Sequence, residues 1–285
     1  MSDKSPTFRR LLLGRQLREL REERGMTVQQ VGEALEVSTP WISRIENAQR
    51  GIQIRDLRRL LDLYGVQDES VRARLLDLAR KAREHGWWHS YRSVLSSRFS
   101  EFIGLEASAS SIKNFEVIVV PGLLQTESYA HALFANARPV QARDEADHLV
   151  RVRMKRQERL VGEDPPRFWA VLDEAVLRRR VGGDEVMRDQ LAHILELARQ
   201  PHITVQVIPL ASGGHAGTSG SFVLLEFPDA SADPVPYIET VAGDLYLEKK
   251  PDIQTCVLAW ELITGYAPSP SDSAQMISDI METYR

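Results

Sequence analysis

The sequence has a single cysteine, Cys256, among 285 residues, which excludes an intramolecular disulfide and a thiolate metal cluster. Cys256 reads as a small apolar residue on a helix that Val257-Leu-Ala-Trp260 continues. Long apolar runs are missing as well. Phe115 to Leu124, among the longest, is broken by Glu116, Pro121 and Gly122 and falls well short of the roughly 18 residues of a membrane span. After Met1-Ser-Asp-Lys-Ser-Pro-Thr-Phe-Arg-Arg10, only Leu11 to Leu13 run apolar, too few for the core of a secretory signal. The expectation is a cytoplasmic protein without membrane attachment.

What is present describes a globular chain of about two domains. The hydrophobic fraction is 43% and the charged fraction 27%, enough apolar surface for a core. The net charge of −4 is unevenly spread: residues 1–85 carry 17 Lys+Arg against 13 Asp+Glu, and the remainder 19 against 27. A basic part joined to an acidic one is the pattern of a phosphate-binding module attached to a domain that does not bind nucleic acid. Solvated helix faces give similar counts, so charge alone leaves both readings open.

The basic part reads as five helices. Leu12, Leu13, Leu17 and Leu20 recur at helical spacing between Phe8 and Glu23, an amphipathic stripe that Gly25 ends. Thr27 can cap a second helix, Val28 to Leu35. After Glu36-Val37-Ser38, Ser38 or Thr39 can cap a third that runs to about Asn47 with Pro40 in its first turn. Ile54 to Tyr64 presents Leu57, Leu60, Leu61 and Tyr64 on one face, and Asp68 to Glu84 repeats the pattern with Val71, Leu75, Leu78 and Ala82. Between helices two and three, Gly32 permits a close crossing, Val37 sits in the turn, and Ile42 and Ile45 point inward. That arrangement predicts a helix-turn-helix. A helical bundle with the same spacings, or a helix-turn-helix used for protein contacts, is the alternative.

The stretch Thr27-Val-Gln-Gln-Val-Gly-Glu-Ala-Leu-Glu-Val-Ser-Thr-Pro-Trp-Ile-Ser-Arg-Ile-Glu-Asn47 resembles the Xre, or phage-repressor, family. The resemblance implies a lambda-repressor-like all-α domain over residues 1–85 whose third helix enters the major groove. It places Thr39, Pro40, Ser43 and Arg44 against base edges, and Asn47 and Arg50 against phosphates. Arg44 is the strongest reader, because a guanidinium donates two parallel hydrogen bonds to guanine O6 and N7. It further implies a structural ion pair between Arg21 and Glu46, and a turn with Glu36 where the family carries Gly. Trp41 can pack or reach the groove. A homodimer on a palindromic site of double-stranded DNA is expected, since one unit covers little DNA.

At Gly86-Trp-Trp-His-Ser-Tyr91 the helical pattern stops, which places a boundary there. Trp87, Trp88 and Tyr91 read as packing between domains, with base stacking as the alternative. Beyond, residues 86–285 predict a mixed α/β regulatory or partner-binding domain. Strands are expected at Phe115–Val120, Arg167–Leu172, Ile203–Ile208, Ser221–Phe227 and Val235–Thr240. Helices are expected from Thr126, from Arg143 to Leu160, from Val186 to Gln200, from Pro251, and from a Ser271 or Asp272 cap through Tyr284. The Arg151, Arg153, Lys155, Arg156, Arg159 run reads as the solvated side of an amphipathic helix.

No chemistry is expected of this part. Gly213-Gly-His-Ala-Gly-Thr-Ser-Gly220 lacks the Gly-Lys-Ser/Thr of a phosphate cradle and the spacing of a nucleophile elbow. Asp173 and Glu174, as neighbours on an extended segment, point to opposite faces. His85 and His89 are four apart, with Gly86 between them and no thiolate nearby. Catalytic residues, metal and cofactor are all expected to be none.

End to end, the chain resembles the WhiJ-like group of antitoxin-like transcriptional regulators. Besides the first unit, the resemblance rests on Gly86-Trp-Trp-His-Ser-Tyr91, Phe102-Ile-Gly-Leu-Glu-Ala107, Val120-Pro-Gly-Leu-Leu-Gln-Thr-Glu127, Val171-Leu-Asp-Glu-Ala-Val-Leu-Arg178, Val205-Gln-Val-Ile-Pro209 and Gly243-Asp-Leu-Tyr-Leu-Glu248. It implies an acidic regulatory domain and a small partner protein encoded by a neighbouring gene. The leading expectation is a sequence-specific repressor. An antitoxin-like protein whose main task is holding a cognate partner, and a small-molecule sensor, are the alternatives.

Overall fold

Ser5 opens the first helix, its Oγ accepting the Phe8 amide at 3.2 Å with Pro6 in the first turn. The computed structural model describes residues 5–137, 143–228 and 233–285, so Met1 to Lys4 of the stretch read against a leader lie outside it. The chain divides into two compact units, Met1–His89 and Ser90–Arg285.

The first unit is α1 (Pro6–Glu23), α2 (Val28–Leu35), α3 (Thr39–Glu46), α4 (Ile54–Leu63) and α5 (Glu69–Lys81). Leu13, Leu17, Val31, Leu35, Ile42, Ile45, Leu57, Leu60, Leu61, Tyr64 and Leu75 share one core, each worth about 1.5–3 kcal/mol when fully buried. Gly25 sits at φ 64° just past α1, a backbone that glycine adopts without a Cβ clash. Thr27 and Gln30 form a reciprocal capping box at 3.2 and 2.8 Å. Ser38 is the N-cap of α3, without a side-chain bond.

Glu36 ends α2 in the left-handed region, φ 57° and ψ 41°, which costs a non-glycine residue about 1–2 kcal/mol. Its side chain is exposed, so little packing offsets the strain. Glu36→Gly is therefore expected to stabilise the first unit by about 0.5–1 kcal/mol, read as a higher midpoint in urea with an unchanged slope.

The second unit is α6 (Ser97–Glu106), β1 (Ser111–Glu116), α7 (Glu127–Ala137), α8 (Arg143–Gln157), β2 (Arg167–Asp173), α9 (Glu174–Arg178), α10 (Asp184–Leu197), β3 (Ile203–Ile208), β4 (Phe222–Glu226), β5 (Val235–Thr240), β6 (Gly243–Tyr246), α11 (Lys250–Tyr266) and α12 (Pro270–Glu282). The strands form one mixed sheet in the order β3-β2-β1-β4-β5-β6. β1, β2 and β3 are parallel, and β1, β4, β5 and β6 antiparallel in succession. The architecture is thus an all-α unit followed by a mixed α/β unit.

Strand alternation sets the two faces of the sheet. Phe115, Val171, Ile208, Phe222 and Leu224 pack with Trp260 and Ile263 of α11. Ile112, Asn114, Glu116 and Val223 face the other way, beneath α6 and α8. The β3 edge is closed by side chains: Val207 N donates to Ser273 Oγ at 3.0 Å, and Gln206 Nε2 donates to Pro268 O at 2.7 Å. The Ser273 bond takes the Val207 N–H out of strand pairing at this edge.

Several sequence expectations need correction. The first strand is Ser111–Glu116 rather than Phe115–Val120, because its pairing with Phe222–Glu226 stops where Val117 N donates to Ser221 Oγ at 3.1 Å. The α12 cap is Ser269, whose Oγ accepts the Asp272 amide at 3.2 Å, in place of Ser271 or Asp272. α6, α9 and β6 have no counterpart in the sequence reading. Asp173 and Glu174 are not neighbours on one extended segment: the strand ends at Asp173, which caps α9 by accepting the Ala175 amide at 2.8 Å. Arg156 is buried, paired to Glu106 at 2.8 and 2.7 Å, so the arginine run of α8 is not a solvated face throughout. The pairing arises from Glu106, fifty residues away, and is invisible to helical spacing.

Candidate nucleic-acid interface

The two halves of α3 have opposite environments. Ile42, Ile45 and Glu46 are buried, whereas Thr39, Pro40 and Arg44 are exposed and Ser43 is half-buried. Pro40, Ser43, Arg44 and Asn47 fall at helical neighbour spacing, so they share one side. Arg44 makes no side-chain hydrogen bond or ion pair among the described residues, leaving its five N–H donors available. Trp41 is half-buried and packs against the core.

What holds α3 in place is a buried ion pair. Arg21 Nε donates to Glu46 Oε1 at 2.7 Å and Arg21 Nη2 to Glu46 Oε2 at 2.9 Å, while Arg21 Nη1 donates to Met26 O at 2.9 Å. The fork-to-fork geometry fixes direction as well as distance, and the Glu46 hydrogen bond holds the Arg21 guanidinium above its ordinary pKa. Arg18 Nε stands 3.6 Å from Glu46 Oε2, and Arg18 Nη2 also donates to Asn47 Oδ1. Asn47 Nδ2 reaches Ser43 Oγ at 3.5 Å. The Asn47 carbonyl is thus engaged within the protein, whereas its amide N–H groups remain donors. Arg50 is exposed, with its backbone N–H bonded to Arg44 O at 3.1 Å.

Two glycines set the helix approach. A Cβ on Gly32 would lie 2.9 Å from Val37 O in the turn. A Cβ on Gly14 would lie 2.6 Å from Glu46 O and 2.7 Å from Ile45 O, so α1 and α3 touch backbone to backbone there. Sequence reasoning found Gly32 and missed Gly14, since a glycine inside a leucine-rich helix carries no pattern that names its partner. Gly14→Ala is expected to cost about 1–3 kcal/mol of stability through forced displacement, measured by thermal melting. The reading also passed over Arg55, Arg58 and Arg59, which are exposed on α4. Arg59 Nη2 donates to Leu35 O at 3.0 Å, beside the Glu36 turn.

Away from this surface, the residues weighed for chemistry have structural partners. His215 Nε2 is 3.5 Å from Asp173 Oδ2 and its Nδ1 accepts the Gly217 amide at 3.1 Å. The His85 and His89 rings lie 3.9 Å apart, tilted by 52°, and Trp88 packs over Gly86.

A helix-turn-helix with one buried and one exposed side on its third helix is a DNA-binding architecture, and a family model for a helix-turn-helix domain matches residues 12–75. The first unit is a helix-turn-helix DNA-binding domain. A second family model, for a domain of unknown function (DUF5753), matches residues 99–279; the chain belongs to that family. No curated protein and no solved structure matches the chain. Among the described residues, no helix is long and apolar enough to cross a membrane.

Proposed function

We propose that the protein is a sequence-specific repressor that binds a palindromic operator as a homodimer through α3, and that its acidic second unit binds a small partner protein or an effector. The observation that carries the DNA part is the exposed, uncommitted Arg44 on a helix whose other side is locked by the Arg21–Glu46 pair. Thr39, Pro40, Ser43 and Arg44 then meet base edges, and Asn47 and Arg50 meet phosphates. Two copies are required because single modules bury only about 600–1,000 Å². The regulatory assignment of the second unit rests on its excess of acidic residues, which disfavours phosphate contact, and on the WhiJ-like resemblance along its length.

Footprinting on the gene's own upstream region at two salt concentrations tests this reading. Protection of a palindrome that weakens steeply with salt is expected, because each neutralised phosphate adds about 0.9 to the log–log slope. Arg50→Ala is expected to weaken operator and non-specific binding about equally and to reduce that slope by about one. Absence of protection anywhere in the region overturns unaided operator binding. Restoration by the neighbouring gene's small protein would then assign DNA recognition to the complex.

A further inference from the structure

The sheet face opposite α11 borders a cavity of about 610 Å³, within the range of about 300–1,000 Å³ that small-molecule sites occupy. One wall is an aromatic ladder. Phe99 and Phe102 of α6 stack at 5.9 Å and 14°, and Phe102 stacks on Tyr237 of β5 at 4.2 Å and 26°. Tyr237 Oη is buried near Asp244 and makes no hydrogen bond of normal geometry among the described residues.

α8 supplies two guanidinium groups whose situations differ. Arg156 is committed to Glu106 through two hydrogen bonds at 2.8 and 2.7 Å, and lies over the Phe99 and Phe102 rings. Arg153 donates instead to the neutral Gln125 Oε1 at 2.7 Å and lies 4.7 Å from the Phe134 ring centroid. It forms no salt bridge among the described residues. Both groups press on Gly122, where a Cβ would stand 3.4 Å from Arg153 Nε and from Arg156 Nη1.

The electrostatic balance follows. Enclosure, and then the charge of Arg156, pull the Arg153 pKa down to about 10, so it stays a cation at neutral pH. Glu116, on β1 across the same cavity, is pushed up to about 7 by burial, against hydrogen bonds from Asn114 and Ser221; near neutrality it carries only part of a charge. Glu239, Glu116 and Glu106 act on Arg153 through space without pairing with it; with one neutral amide as its direct hydrogen-bond partner, the enclosed guanidinium keeps donors for a counter-charge brought by a ligand.

We propose that this cavity is a binding site for a small organic anion with a flat apolar body, its carboxylate on Arg153 and its body against the Phe99–Phe102–Tyr237 ladder. A guanidinium matches a carboxylate in paired hydrogen bonds, and the stacked rings offer the body a flat apolar face. This rests on the reading of the second unit as the effector-binding part, and names the ligand's chemical class.

Calorimetry on the full chain with three matched probes tests it: 2-naphthylacetate, 2-(2-naphthyl)ethylamine and 2-(2-naphthyl)ethanol. The acid is expected to bind at least about tenfold more tightly than the amine or the alcohol. Arg153→Met should remove that preference, and Val223→Trp, which fills the cavity from β4, should abolish binding of all three. Melting curves check that each variant is folded, and either variant alone suffices to test the site. No binding of the acid by wild type, equal binding of the three probes, or unchanged binding in a folded variant overturns the proposal. A chain that protects DNA and ignores the acid refutes the cavity reading alone. One that binds the acid and protects no DNA refutes operator binding alone.

Discussion

Glu46→Ala is expected to destabilise the first unit by about 3–5 kcal/mol, the cost of breaking a buried pair by removing one partner. That is a large fraction of the 5–15 kcal/mol by which domains are stable. The asymmetry of the site makes the test sharper. Removing Glu46 leaves Arg21 and Arg18 facing each other, since Arg18 stands 3.6 Å from the same carboxylate, with only the exposed Glu22, 3.3 Å from Arg21 Nη2, to offset them. Removing Arg21 leaves Glu46 with Arg18 as a partial partner. Urea titration should therefore rank Glu46→Ala as more damaging than Arg21→Ala. A combined Arg21→Met, Glu46→Leu variant should regain most of the stability, because an apolar pair of similar volume needs no desolvation of charge. If the pair also aims α3, that double variant will bind the operator less tightly although it is folded. Equal affinity would reduce the pair to a purely local contact.

Arg44→Ala should lower operator affinity by about 1–3 kcal/mol, roughly five- to 150-fold, with a much smaller loss on unrelated DNA. The expected discrimination comes from geometry: a planar fork that donates twice to one guanine edge loses both bonds at once. Arg44 has no internal partner among the described residues, so the loss is expected without a change in melting temperature. Equal weakening on operator and unrelated DNA would move Arg44 from base readout to phosphate contact. Relaxed preference at one base pair of each half-site would identify the base it reads.

The first unit was largely legible from its sequence because its structure is local. Helical spacing of Leu13, Leu17, Leu57, Leu60 and Leu61 names the buried stripes, and Gly25, Thr27 and Pro40 mark ends through backbone chemistry that needs no distant partner. The second unit was less legible. Strand order depends on which segments meet, and the pairing that shifts β1 to Ser111–Glu116 is made with residues more than a hundred positions away. β6 is four residues long, too short for alternation to stand out.

By itself, the sequence determined that residues 12–75 hold a helix-turn-helix, that the charge is divided between a basic and an acidic part, and which residues of the third helix face outward. Those features follow from periodicity, capping and composition. Tertiary structure alone decided that Gly14 seats α3, that Glu106 takes Arg156 out of solvent, and that Arg153 is left facing a cavity walled by Phe99, Phe102 and Tyr237. Each is a contact between residues far apart in the chain, whose energy depends on burial and on the partner's charge, and neither quantity is written in local sequence.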